Sequence, residues 1–213
     1  MSQKPIYPGY DVLAKRDTPS WNQRTRDVID ARLSTPRTPR FLTPEEWAIA
    51  DALCRRIVPG PVEVPLVALL DAKLLADDGD GTREEDMPYM REAWRAGLKA
   101  LDASACDRHR GVGVAGLSDA DLDALIGEMA SGKLKPRHWQ AFGASQFFER
   151  RVIVDVPALF YALPGAWSEI GFGGPASPRG YVRLDGDRRD AWEAAEATPG
   201  QETIARIENR HVV

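Results

Sequence analysis

Apolar positions are unevenly distributed along this chain, and the pattern changes near residue 41. From Phe41 onward, hydrophobic residues recur at three- and four-residue spacing, the mark of helices that bury one face. Thr43-Pro44-Glu45-Glu46 opens the first helix, with Thr43 as N-cap, Pro44 at the first helical position and Glu46 placed to complete a capping box. That helix turns Trp47, Ala50, Cys54, Ile57 and Val58 inward, and Pro59-Gly60-Pro61 stops it. A second runs from Pro65 to about Ala76 with Leu66, Leu69, Leu70 and Leu74 on one face. A third, from Pro88 to Cys106, aligns Met90, Trp94, Gly97, Leu98, Leu101 and Ala105. Glycine inside a helix costs about 1 kcal/mol relative to alanine, so the expected use of Gly97 is close approach of a neighbouring element. Ser118-Asp119-Ala120-Asp121 caps a fourth helix with Leu122, Leu125, Ile126 and Met129 inward, and Gly132 ends it. A fifth is expected from about Pro136, carrying Trp139, Phe142, Phe147 and Val154. Within it VIVDV (152–156) alternates as a strand would, but no second strand exists to pair with it, so helix is expected there too. Pro157 then starts a new turn or kinks the helix.

The two ends read differently. Residues 1–40 hold prolines at 5, 8, 19, 36 and 39 and scattered apolar residues without a sustained period; one short helix fits Asn22 to Leu33. Disordered tails seldom carry this many aromatics, so the segment is expected to lie along a surface. At the other end the fifth helix runs into AWSEIGFGGPASPRGYVR, where Trp167, Ile170, Phe172 and Tyr181 sit among six glycines and prolines. Such a loop has little packing volume of its own, so either the body of the protein or another chain covers it. After Arg183 the chain is charged and weakly amphipathic, anchored by Trp192, Ile204 and Ile207. The expectation is therefore an all-α protein: an extended basic N-terminal arm (1–40), a compact bundle of about five to six helices (41–163), and a Gly/Pro-rich loop with a C-terminal arm (164–213).

Charge sharpens this division. The first 40 residues carry eight Lys/Arg and four Asp/Glu, a net +4 on a chain whose total is −4. An acidic body argues against nucleic-acid binding, which needs a broad basic surface. No apolar run approaches the roughly 20 residues of a membrane span. The N-terminus has neither an apolar core nor a twin-arginine pair, so a cytoplasmic location is expected, or a periplasmic one if a signal-bearing partner exports the chain.

Candidate chemistry is sparse. The two cysteines, Cys54 and Cys106, form no CxxC or CxxCH and are expected as free, buried thiols. His109, His138 and His211 have no metal-binding spacing and are expected at surfaces or helix ends. DDGDGTREED (77–86) looks like a calcium loop, but with Gly81 as the turn glycine the first ligand position falls on Ala76 and the closing one on Met87. A solvated turn is the expectation there, and GVGVAG (111–116) is expected to be a linker. No catalytic, cofactor-binding or metal-binding residue is assigned.

The order FLTPEEWAIADALCRRIVP, PLVALLDAKL, MPYMREAWRAGLKALDASA, FFERRVIVDVPALFYALPGAW and EIGFGGPASPRGY resembles the gluconate 2-dehydrogenase subunit 3 family over about residues 41–183. The resemblance implies a small, cofactor-free, non-catalytic subunit in an obligate hetero-oligomer with a large FAD-dependent dehydrogenase of the glucose-methanol-choline type. FAD is then expected in the partner, which oxidises a sugar or alcohol carbon and often passes electrons to a cytochrome. Many members carry a twin-arginine signal; this sequence shows none. Partner contacts are expected from Tyr10, Trp21, Trp167, Phe172, Arg179 and Tyr181, since aromatics and arginine are favoured anchors of interfaces. A free-standing adaptor or assembly chaperone, or a small enzyme using acidic residues and His138, are the competing readings.

Overall fold

In the computed structural model, which describes residues 5–77, 86–175 and 189–212, every regular element among those residues is helical. The chain forms two compact units: Thr35–Phe160, and a second unit assembled from Met1–Ser34 together with Tyr161–Val213. The sequence boundaries expected at 40/41 and 163/164 shift to 34/35 and 160/161. More consequentially, the two ends are not separate arms but parts of one unit.

The Thr35–Phe160 unit is the expected bundle. Helix α2 (Pro44–Ile57) opens as its sequence foretells: Thr43 Oγ1 accepts from Glu46 N at 3.2 Å, and Glu46 Oε2 accepts from Thr43 N at 2.9 Å. (Helix α1, Gln23–Leu33, belongs to the other unit.) Helix α3 (Leu66–Ala76) is buried almost all round, as Leu66, Val67, Ala68, Leu69, Leu70, Asp71 and Leu74 are all enclosed, and it packs against α2 and the later helix α7 (Ile153–Phe160). Helix α4 (Met90–Arg108) buries the stripe expected of it. A Cβ at Gly97 would lie 2.4 Å from two carbons of the Phe147 ring, so the close approach is made by an aromatic side chain. Helix α5 (Asp119–Ala130) ends at Gly132 (φ +66°), where Lys133 N reaches Glu128 O at 2.9 Å and Gly132 N reaches Met129 O at 3.1 Å, both bonds of a Schellman cap.

One buried carboxylate links distant segments. Asp71, on α3, accepts backbone N–H groups from Arg40 (2.9 Å), Phe41 (3.0 Å) and Leu42 (2.8 Å), tying down the approach to α2. Local pattern does not reveal this, because donor and acceptor lie about thirty residues apart. Asp102 has a similar part: its Oδ1 accepts Val114 N at 2.8 Å, so the expected linker at 111–116 includes a 3-10 turn, Val114–Gly116, held against α4.

The fifth helix departs from expectation. Instead of one helix from Pro136, there is a 3-10 turn at Pro136–His138, a non-helical stretch, then α6 (Ala144–Phe147), a π-helical turn (Phe148–Val152) and α7. VIVDV is helical, as expected, and Pro157 sits inside α7. The π turn inserts one residue into the helical repeat and rotates α7 by about one residue's turn. The buried stripe therefore reads Ala144, Phe147, Arg151, Val152, Asp155 and Val156, while Val154, expected inward, is 47 % exposed. Asp155 is fully buried and satisfied: Lys73 Nζ donates to Oδ1 at 2.9 Å and Trp94 Nε1 to Oδ2 at 2.7 Å.

The unit built from the chain ends has its own core of Tyr10, Val12, Trp21, Ile29, Trp167 and Val212. Helix α1 (Gln23–Leu33) is capped by Asn22, whose Oδ1 accepts Thr25 N at 2.9 Å. Two further helices, α8 (Pro164–Glu169) and α9 (Glu202–Asn209), complete it. Asn209 joins three segments: its amide donates to Pro8 O (3.1 Å) and Ala195 O (2.9 Å) and accepts Ala195 N (2.6 Å). Lys15, fully buried, donates to Trp192 O and lies 5.8 Å from the centre of the Tyr10 ring. Ile204 and Ile207, expected as anchors, face outward; Ala205 and Asn209 are the buried residues of α9.

Candidate interaction surface

Within the unit formed by the chain ends, the glycine-rich loop after α8 is shaped by backbone geometry. Gly171 (φ +69°) is the left-handed residue that terminates α8, and Phe172 N reaches back to Trp167 O at 2.9 Å. The hydrophobic contact that accompanies such a cap is present: the rings of Trp167 and Phe172 meet edge to face at 5.6 Å. A Cβ at Gly171 would lie 2.6 Å from the Tyr7 ring, and one at Gly174 would lie 3.0 Å from Trp21. Trp21 in turn meets Trp167 edge-on at 6.4 Å. The chain's own N-terminal segment thus packs on this loop at Gly171 and Gly174.

That arrangement sorts the six residues expected to contact a partner. Tyr10, Trp21 and Trp167 are buried in the chain's own core, a correction to the reading of them as uncovered arm aromatics. Local sequence could not show this, since the core is closed only when Trp167 and Val212 meet Tyr10 and Trp21, more than 130 residues away. Phe172, at 36 % exposure, presents an outer edge. Arg179 and Tyr181 lie outside the described residues, as does most of the acidic turn expected at 77–86. Beside Phe172 in sequence, Ile170 is exposed, and so is Tyr161, whose carbonyl accepts Trp167 Nε1 at 2.6 Å. In the bundle unit the exposed large apolar side chains include Ile153 and Val154 of α7.

The bundle also holds a cavity of about 320 Å³ lined by Ser104, Asp107, Arg108, Glu128, Lys133, Leu134, Lys135 and His138. Asp107 is its most perturbed group: hydrogen bonds from Arg137 and from His138 Nε2 (2.7 Å) hold its carboxyl down at about 2. A carboxylate so stabilised is a poor proton acceptor near neutral pH. Ser104 Oγ is already engaged, donating to Ala100 O at 2.8 Å and accepting Trp139 Nε1 at 3.2 Å. Cys54 is buried and its thiol is pushed up to about 12 by desolvation, leaving it inert as a nucleophile; Cys106 is half-buried and also free. His109 caps α4, and His211 is exposed near the C-terminus. No cluster of three or more His, Cys, Asp or Glu able to hold a metal occurs among the described residues. No helix there is long and apolar enough to cross a membrane.

A family model described as gluconate 2-dehydrogenase subunit 3 matches residues 44–174, more than half of the chain. The match begins at the first residue of α2 and ends at Gly174, the glycine that packs against Trp21. No curated protein and no solved structure matches the chain.

Proposed function

Because this chain belongs to the gluconate 2-dehydrogenase subunit 3 family, we propose that it is the small, non-catalytic subunit of a dehydrogenase complex. Its partner is a large FAD-dependent subunit of the glucose-methanol-choline type, which oxidises a sugar or alcohol carbon and passes electrons onward to a cytochrome or another acceptor. The flavin and the reacting groups belong to the large subunit, and the small one stabilises it in an obligate hetero-oligomer. Family membership across 44–174 carries this reading. The exposed apolar side chains Ile170 and Phe172, flanking the left-handed Gly171, support it as contact surface. A permanent interface of this kind buries roughly 2,000 Å² or more. We place the complex in the cytoplasm, with the periplasm as the alternative if the large subunit carries an export signal; cell fractionation separates the two.

The test is co-expression with a large FAD-dependent dehydrogenase of the glucose-methanol-choline type from the same organism. The expected result is stable co-elution of a yellow complex, with the small chain alone colourless and inactive. A small chain that fails to associate with the flavoprotein, or that oxidises sugars or alcohols alone, refutes the reading. A client that is bound during folding and then released would instead identify an assembly chaperone.

A further inference from the structure

The inward stripe of α6, the π turn and α7 contains two ionisable residues one helical turn apart, and they are treated differently. Asp155 has a donor on each oxygen, Lys73 Nζ and Trp94 Nε1. Arg151 is only 8 % exposed, and its Nε is buried with no hydrogen-bond partner. Among the described residues its guanidinium has neither an ion pair nor a hydrogen bond. Asp155, the acid that helix spacing places nearest along the chain, is already occupied by the other two donors.

An arginine can bury its apolar stem and keep its charged head in water. Here the enclosed, unpartnered atom belongs to the guanidinium itself. Arginine also cannot escape the cost of desolvation by losing its proton. No acceptor for that Nε exists among the described residues, and an anion brought by another molecule would supply one. The setting favours one kind. Arg151 sits on a π turn, a distortion frequent at functional sites. Just beyond it in the chain, Ile153 (43 % exposed), Val154 (47 %) and Ala158 present apolar surface outward. A small hydrated anion gains nothing from that flank. A protein carboxylate brings its own methylenes and apolar neighbours, and it can accept two parallel N–H bonds from the guanidinium.

We infer that Arg151 is a docking anchor that receives an Asp or Glu side chain of the partner protein, with the exposed Val154, three residues on along α7, as the apolar flank of the contact. This rests on the reading of the chain as a subunit, and it names where on the bundle unit the large subunit is held. Arginines desolvated at an interface are among the side chains whose truncation weakens binding most.

The experiment compares wild type, Arg151→Met and Arg151→Lys in two states. As an isolated chain, Arg151→Met should melt at or above the wild-type temperature, because it removes an uncompensated charge while keeping the volume. Against the FAD-containing large subunit, its Kd should rise by about 30-fold or more, with Arg151→Lys in between. Where the isolated chain is short-lived, dissociation of the co-purified complex on dilution, followed through the flavin absorbance, gives the same ranking. Binding that survives Arg151→Met unchanged overturns the inference and leaves the subunit reading intact. A melting temperature several degrees below wild type in the isolated chain also overturns it, by assigning the guanidinium to the chain's own stability. A wild-type chain that does not bind the flavoprotein at all overturns both readings.

Discussion

Replacing Gly97 with alanine sets two effects of opposite sign against each other. In an ordinary helix the change stabilises by about 1 kcal/mol, because alanine is the better helix former. At this position the added methyl carbon would stand 2.4 Å from two carbons of the Phe147 ring and 2.6 Å from a third. Favourable carbon contacts lie at roughly 3.5–4.0 Å, so the ring would have to retreat by about 1 Å or more. It has nowhere to go. Phe147 is fully buried, with Trp94 edge-on at 5.3 Å, Phe142 stacked at 5.8 Å and Trp139 at 6.0 Å. Overpacking of this kind costs about 1–3 kcal/mol, and the rigidity of an aromatic cage places this site at the upper end. The expected net effect is a loss of about 2 kcal/mol, or roughly 4–8 °C in melting temperature for a chain of this size. Circular dichroism at 222 nm during urea and thermal unfolding measures it. The companion is Gly97→Ala with Phe147→Leu, which makes room for the methyl group. It should be more stable than the sum of the single losses by about 1 kcal/mol or more. A stabilised Gly97→Ala protein, or strict additivity in the pair, would refute the packing argument and leave only helix propensity.

Two further outcomes concern polar groups. Asp71→Ala strands three backbone N–H groups in the approach to α2 and should destabilise by about 3 kcal/mol, given the cost of leaving buried donors unpaired; a loss under about 0.5 kcal/mol in urea unfolding would show that water replaces the carboxylate. For Asp107 the folded carboxyl titrates at about 2, below its ordinary value near 4, so the stability it contributes is fully present above that ordinary value and is lost as pH falls toward 2. Arg137→Gln removes its main partner and should return the titration toward the ordinary range, which carboxyl chemical shifts in an NMR pH series detect; an unchanged midpoint would refute the assignment.

Much of the bundle is legible because its signals are local. The box at Thr43 and Glu46, the Schellman glycine at Gly132 and the inward stripes of α3 and α4 depend on residues within one or two helical turns of each other, so their spacing carries them. Gly97 is legible as a close approach, although not as an approach by Phe147. The all-helical character comes from the same periodicity. Three features escaped it, each for a physical reason. The π turn at Phe148–Val152 inserts a residue without any mark in composition, and so turned Val154 outward and Arg151 inward. Asp71 caps a segment about thirty residues earlier, a contact that exists only once α3 is in place. The unit made from the two chain ends is the largest omission. Tyr10, Trp21 and Trp167 looked like aromatics without a core because each segment alone cannot bury them; together they are that core. What the sequence by itself determined, then, is about where the first four helices of the bundle start and stop and which family the chain belongs to. Which of these aromatics are enclosed in the chain's own core, and that Arg151 is buried with an Nε unpartnered among the described residues, were decided only by tertiary structure, because burial is a property of what the rest of the chain brings alongside.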